Sequence, residues 1–184
     1  NSWGFNIYTG SLSDDVGTTV LVEEALQISA TTGRNGLGNV QVFSAGNGRQ
    51  YDENSNYSLP SNSRYVIAVA ALNQYDQYTY YSEPGANLLV SGYGGDGPPP
   101  DNVTTTTLID EGNTPTLGSD YTDDFNGTSA AAPMVTGVVA LMLQANPNLT
   151  FRDVRKILAL SARKNDPTDA GWTTNAAGLH INHN

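Results

Sequence analysis

The chain has 184 residues, with 8 Lys plus Arg against 18 Asp plus Glu and a formal net charge of −10. At 38% hydrophobic and 14% charged residues it is globular in profile and long enough for one domain or a large piece of one. An acidic chain without a Lys/Arg cluster excludes nucleic acid as a partner. The absence of cysteine excludes disulfides, thiolate catalysis and cysteine-ligated zinc, and no uninterrupted apolar run reaches the ~18–20 residues of a membrane span.

Residues 5–17 are polar and rich in Gly, Ser and Asp, which predicts a loop. Over residues 18–32, Leu21, Ala25, Ile28 and Val22, Leu26, Ala30 recur at helical spacing, with Asp15 or Thr18 as cap and Gly33 as stop. Residues 40–43 read as a short strand. Residues 65–71, apolar on both faces, read as a central strand covered by helices. A third strand falls at 88–90. Glycines and three consecutive prolines then forbid regular structure up to Pro100. Residues 104–108 are β-branched and extended, and 110–127 read as polar loop. The stretch 129–145 is apolar all round and predicts a buried helix, with Pro133 among its first-turn positions. After Asn146-Pro147-Asn148, Thr150 and Asp153 have capping-box spacing ahead of the stripe Phe151, Val154, Ile157, Leu158. The tail from 166 is turn-rich, with a hairpin around 175–178. Alternating strands and helices predict an α/β layered fold.

Two segments carry chemistry. In Asn126-Gly127-Thr128-Ser129-Ala130-Ala131-Ala132-Pro133 a small-residue turn delivers Ser129 to the first turn of a helix. There its Oγ is accessible, and the backbone N–H groups and helix dipole favour a developing oxyanion. Read alone, the same segment is also a Ser-capped, Ala-rich helix. In Phe43-Ser44-Ala45-Gly46-Asn47-Gly48 a strand runs into a Gly-flanked Asn, whose amide can donate to an oxyanion at the carboxyl end of a sheet. Read alone, Asn47-Gly48 is also a plain turn.

Together with the opening Asn1-Ser2-Trp3-Gly4, these segments stand in the order and rough spacing of the subtilisin-like serine peptidases, which the chain resembles over nearly its whole length. The likeness is to the kexin or proprotein-convertase branch. It includes Glu23-Glu24-Ala25, Gly36-Leu37-Gly38, Asn62-Ser63, Tyr81-Ser82-Glu83 and Asn148-Leu149-Thr150-Phe151-Arg152-Asp153. The resemblance implies an α/β three-layer subtilisin-like fold with a mostly parallel sheet, of which residues 1–184 are the C-terminal portion. It implies a serine endopeptidase working through an acyl-enzyme on protein and peptide substrates. Ser129 would be the nucleophile, and Asn47 would be the oxyanion donor beside the Ser129 N–H. Ser2, Trp3 and Gly4 would be the edge strand that pairs with substrate backbone, with Ala45, Gly46 and Thr128 as further substrate-binding positions.

The family order is Asp, then His, then Ser, yet neither the Asp nor the His motif stands upstream of Asn47. The only histidines, His180 and His183, lie in the tail, where His183 matches a structural Ser/Asn-His of the branch. The expectation is a partial peptidase domain, inactive alone, whose partner is the upstream half of its own domain. The resemblance also implies structural calcium, with Glu83 as one ligand and Asp52 (or Glu53, one residue away) as another; solvated surface carboxylates are the other reading. A third acidic position has no match, since Phe5-Asn6-Ile7 stands there and Asp14-Asp15 lies beyond an apparent insertion. Ser58 stands where the branch has an acid that reads basic side chains, which argues against strict dibasic specificity. The branch's nearby cysteines are absent, which points to a bacterial source. The family further implies a secreted, extracellular or cell-envelope location. The alternatives are a degenerate, non-catalytic subtilase-like domain and a sedolisin-type acid peptidase, against which Asn47 and its Ser-Ala-Gly-Asn context argue.

Overall fold

The computed structural model describes residues 1–4, 16–99, 101–107 and 120–182, with the side chains of 16–18 excepted. Expectations that rest on Ile7, Asp14, Asp15, Leu108 or His183 lie outside the described residues.

Three strands form the sheet on which the rest is built. β1 (Gln41–Ser44), β2 (Val66–Leu72) and β3 (Leu88–Tyr93) are parallel, in the order β1-β2-β3. β2 is central, and the side chains of Val66, Ile67, Ala68 and Val69 are all buried, as a strand covered on both faces requires. Successive side chains point to opposite faces and so sort the layers. Phe43 and Val66 pack with Leu26 and Val22 of α1 (Val16–Thr32). On the other face Val42, Ile67, Val69 and Ala71 pack with α2 (Thr128–Ala145) and α3 (Phe151–Ser161). Helix, sheet and helix are the three layers expected. Of the two periodic sets in α1, the one containing Leu26 and Ala30 faces inward, while Leu21 and Ile28 face solvent.

α3 begins with the capping box its spacing predicts. Thr150 Oγ1 accepts from the Asp153 N–H, and the Asp153 carboxylate accepts from the Thr150 N–H at 2.9 Å. The tail closes as the hairpin of β6 (Trp172–Thr174) and β7 (His180–Asn182) around Asn175 and Gly178.

The structure corrects three expectations. α2 is not buried all round: Ala130, Ala131, Ala132, Val135 and Val139 face the sheet, while Met134, Val138 and Leu141 are exposed, Leu141 at 66%. A three-stranded sheet covers one side of a helix, and among the described residues no element covers the other. At 18 residues α2 is also long and apolar enough to cross a membrane by those measures, although one face is packed against the sheet. Second, Pro133 is the sixth helical residue, beyond the first turn. Its missing N–H leaves the Ser129 carbonyl without an i+4 partner, and the Ser2 hydroxyl donates to that carbonyl at 3.2 Å. Third, the polar stretch before α2 contains a strand, β5 (Tyr121–Phe125), paired antiparallel with β4 (Val103–Thr106). None of its residues is buried, so backbone ladder bonds rather than an apolar face hold it.

Candidate active site

β1 ends at Ser44 and the chain turns outward through Ala45, Gly46 and Asn47, beside the N-terminus of α2. One cleft opens there at the carboxyl end of the parallel strands. It is lined by Ser2, Trp3, Gly4, Ala45, Gly46, Asn47, Glu53, Ser58, Glu83, Thr128 and Ser129, among others. The structure thus brings together every singled-out catalytic and substrate-binding position. Residues 1–4 are not a regular strand, but the Ser44 N–H donates to the Asn1 carbonyl at 3.0 Å, which lays Asn1 along β1. Trp3 stacks edge-on against Phe43 with ring centroids 5.4 Å apart and stands over the cleft.

The first-turn donors of α2 can be followed one by one. The Thr128 N–H donates to Asn47 Oδ1 at 2.9 Å, and the Ala130 and Ala131 N–H groups donate to the Gly127 carbonyl. Among the described residues the Ser129 N–H has no acceptor. The Thr128 hydroxyl also donates to Asn47 Oδ1, at 2.8 Å, and accepts from the Gly46 N–H at 3.2 Å. With Oδ1 holding two donors, the amide cannot turn over without losing both, and Asn47 Nδ2, which has no acceptor among the described residues, is left as the donor of a side chain that lines the cleft. The helix N-terminus therefore presents two open donors, Ser129 N–H and Asn47 Nδ2, beside a half-buried serine hydroxyl. This arrangement can take up negative charge that develops on a carbonyl oxygen when a nucleophile at Ser129 Oγ adds to the carbonyl carbon.

No histidine lines the cleft among the described residues. His180 lies on β7, where Nδ1 is 3.1 Å from Thr174 Oγ1. The residues that form the cleft supply no imidazole to take a proton from Ser129.

The cleft floor carries two carboxyls. Glu83 is 4% exposed; its Oε1 accepts from the Gly48 N–H at 3.1 Å, and its Oε2 is buried with no hydrogen-bond partner among the described residues. Burial pushes its pKa up to about 7, and the neighbouring Glu53 carboxyl adds to the rise while the Gly48 N–H opposes it. The pair fits only because glycines lie beneath it. A Cβ on Gly46 would come within 2.1 Å of Glu83 Oε1, and one on Gly48 within 1.9 Å of Glu53 Oε2. Asp52 is exposed, in a left-handed turn at φ 60°, so it is Glu53 that stands against Glu83. Sequence spacing left that choice open, because a single left-handed residue exchanges which neighbour faces inward. Ser61 and Pro60 at the cleft wall gave no sequence signal beyond an ordinary turn.

The Subtilase family profile matches residues 1–182 of this chain. Human proprotein convertase subtilisin/kexin type 7 is 37% identical over 188 residues, covering 99% of this chain and 22% of the relative. Furin-1 of Xenopus laevis is 32% identical, covering 97% and 22%, and the dibasic-processing endoprotease of Yarrowia lipolytica is 36% identical, covering 89% and 16%. The chain thus spans about a fifth of the length of the first of these relatives. Among solved structures, a serine protease of Aeromonas sobria superposes with a TM-score of 0.82 at 24% identity, covering 98% of this chain and 39% of that one. A protease of Pseudoalteromonas arctica gives 0.61 at 30% identity, covering 78% and 40%.

Proposed function

This chain belongs to the subtilase family, and we propose that it carries the nucleophile and oxyanion half of a serine endopeptidase domain. The carrying observation is the pair of open donors, Ser129 N–H and Asn47 Nδ2, fixed beside the Ser129 hydroxyl. In this reading Ser129 Oγ attacks a peptide carbonyl and the proton passes to an imidazole. The oxygen of the tetrahedral intermediate accepts from the two donors. Collapse expels the amine, which takes the proton, and leaves the acyl group on Ser129 for water to remove. Ser2, Trp3, Gly4, Ala45, Gly46 and Thr128 line the path of the substrate chain.

The imidazole and its orienting carboxylate come from the remainder of the catalytic domain, which we place upstream and against this half. The exposed apolar face of α2 (Met134, Val138, Leu141) supports a domain that needs a further layer. The whole protein acts outside the cytoplasm, in the manner the family implies. The missing base in the cleft favours one other reading, a non-catalytic subtilase-like domain, which the same experiment separates.

The donor set at the cleft floor fits calcium. Hard carboxylate oxygens from Glu83 and Glu53 lie together, and Glu83 Oε2 is buried with no other partner among the described residues. Among the described residues no group of three acidic or imidazole side chains gathers, so these two would hold the ion with backbone or amide oxygens. A bound calcium would neutralise the pair and brace the loops around it without taking part in the reaction.

Because Ser58 stands in the cleft where an acid would pair with a basic side chain, the protein accepts Arg or Lys before the scissile bond without requiring either. The test is a peptide-library cleavage profile of the full-length protein beside its Ser129→Ala variant. Cleavage that vanishes in the variant and spreads over several residue types supports the proposal. Cleavage that survives Ser129→Ala, or none from either protein, contradicts a catalytic role. Near-exclusive cleavage after paired basic residues contradicts the reading of Ser58.

A further inference from the structure

The turn that delivers Ser129 is tied to the core by a phenol. Tyr81 is 5% exposed and belongs to the core cluster that also holds Ala131, Val135 and Val139, yet its hydroxyl reaches backbone on two other segments. It accepts from the Gly127 N–H at 3.0 Å and donates to the Gly95 carbonyl at 2.5 Å. Gly127 is the N-cap of α2, with φ at 99°, and its carbonyl receives the Ala130 and Ala131 N–H groups. The orientation of this one residue sets where the first turn of α2, and with it Ser129, points. Gly94 keeps the phenol's place open: a Cβ there would lie 2.8 Å from Tyr81 Oη and 2.7 Å from the Gly127 carbonyl oxygen. Two residues beyond Tyr81 is Glu83, at the floor of the cleft.

We propose that Tyr81 is a positioning residue, whose hydroxyl fixes the Gly127 turn and so holds the Ser129 hydroxyl and N–H in register with Asn47. The proposal rests on Ser129 being the nucleophile. Its chemistry predicts a separation of effects. The Gly127 N–H also donates to the Gly94 carbonyl at 3.0 Å, so Tyr81→Phe leaves that donor satisfied and keeps the packed ring. What is lost is the second anchor of the turn, and sub-ångström freedom at a nucleophile reads out in rate more than in fold.

The experiment compares full-length protein with its Tyr81→Phe and Ser129→Ala variants. It uses active-site titration to count competent sites, steady-state kinetics on a peptide substrate, and amide exchange over residues 126–130. The expected result for Tyr81→Phe is a per-site kcat lower by about tenfold, with KM within about twofold, and faster exchange at Gly127 and Thr128. A purely structural tyrosine would instead lower the count of competent sites and the melting temperature while the per-site kcat held. An unchanged per-site kcat overturns the proposal whatever the exchange shows. Turnover that persists in Ser129→Ala overturns the assignment of the nucleophile, and that control keeps the two failures apart.

Discussion

A side-chain amide can present either end to a substrate, and Thr128 decides which end Asn47 presents. The Thr128 N–H and hydroxyl both occupy Oδ1, so Nδ2 is the group that remains to donate. In the full-length protein Asn47→Ala should lower kcat by about 10²–10³ with KM little changed, because the amide meets charge that exists only in the transition state. Steady-state kinetics check this, and a loss confined to KM would remove Asn47 from the oxyanion. Glu83 carries a different signature. Its pKa is raised from 4.5 to about 7 in the fold, so the folded state holds the proton more tightly than the unfolded chain. The stability this contributes is present below about pH 4.5 and fades as pH rises through about 7. With chelator present, the unfolding midpoint should therefore fall across that window, and Glu83→Gln should flatten the fall. Added calcium should raise the neutral-pH midpoint of the native chain more than that of the variant. An equal pH slope in both proteins would show that Glu83 is not the titrating group. At this scale the sequence singles out Ser129 and Asn47 because each stands in a short pattern of small residues, and the structure places both at one cleft. The sequence leaves Asp52 and Glu53 as alternatives, because the choice depends on a single left-handed turn at Asp52, and it gives no sign of the part Tyr81 plays, which depends on contacts across 46 residues of sequence.

Elements were legible wherever an apolar face exists to be read. β2, α1 and α3 follow their periodicity, and the Thr150–Asp153 box closes both ways although Asp stands where Glu or Gln is usual. Thr150→Ala should cost about 1 kcal/mol, read as a lower urea midpoint with unchanged slope. A neutral outcome would mean that tertiary packing alone sets the start of α3. β5 escaped because Tyr121 to Phe125 has no buried position to create an alternation. α2 was legible as a helix and misread as buried, since sequence shows how apolar a face is but not whether anything covers it. The same helix shows how a local defect can serve the site. Pro133 frees the Ser129 carbonyl, and the Ser2 hydroxyl donates to it, joining the Asn1-Ser2-Trp3-Gly4 segment to Ser129.

At the scale of the molecule, α1 on one face of the parallel sheet and α2 with α3 on the other form the layered frame, and the cleft opens at the strands' carboxyl ends. This frame gathers cleft-lining residues from the N-terminal segment, the β1 turn, the loop before β2 and the start of α2, a convergence that no one segment shows by itself. Among the described residues no imidazole lines the cleft, and on the proposed function the 184-residue chain alone would therefore turn over no peptide at an appreciable rate. Without its base, a serine nucleophile loses on the order of 10⁴–10⁶ in turnover, while its oxyanion donors remain in place. The most direct measurement is labelling with a fluorophosphonate, read by mass spectrometry, of the full-length protein and of the 184-residue chain side by side. The account predicts near-stoichiometric modification of Ser129 in the full-length protein and none in the isolated chain over the same time. Modification of a different residue in the full-length protein, or equally fast labelling of Ser129 in the isolated chain, would contradict it.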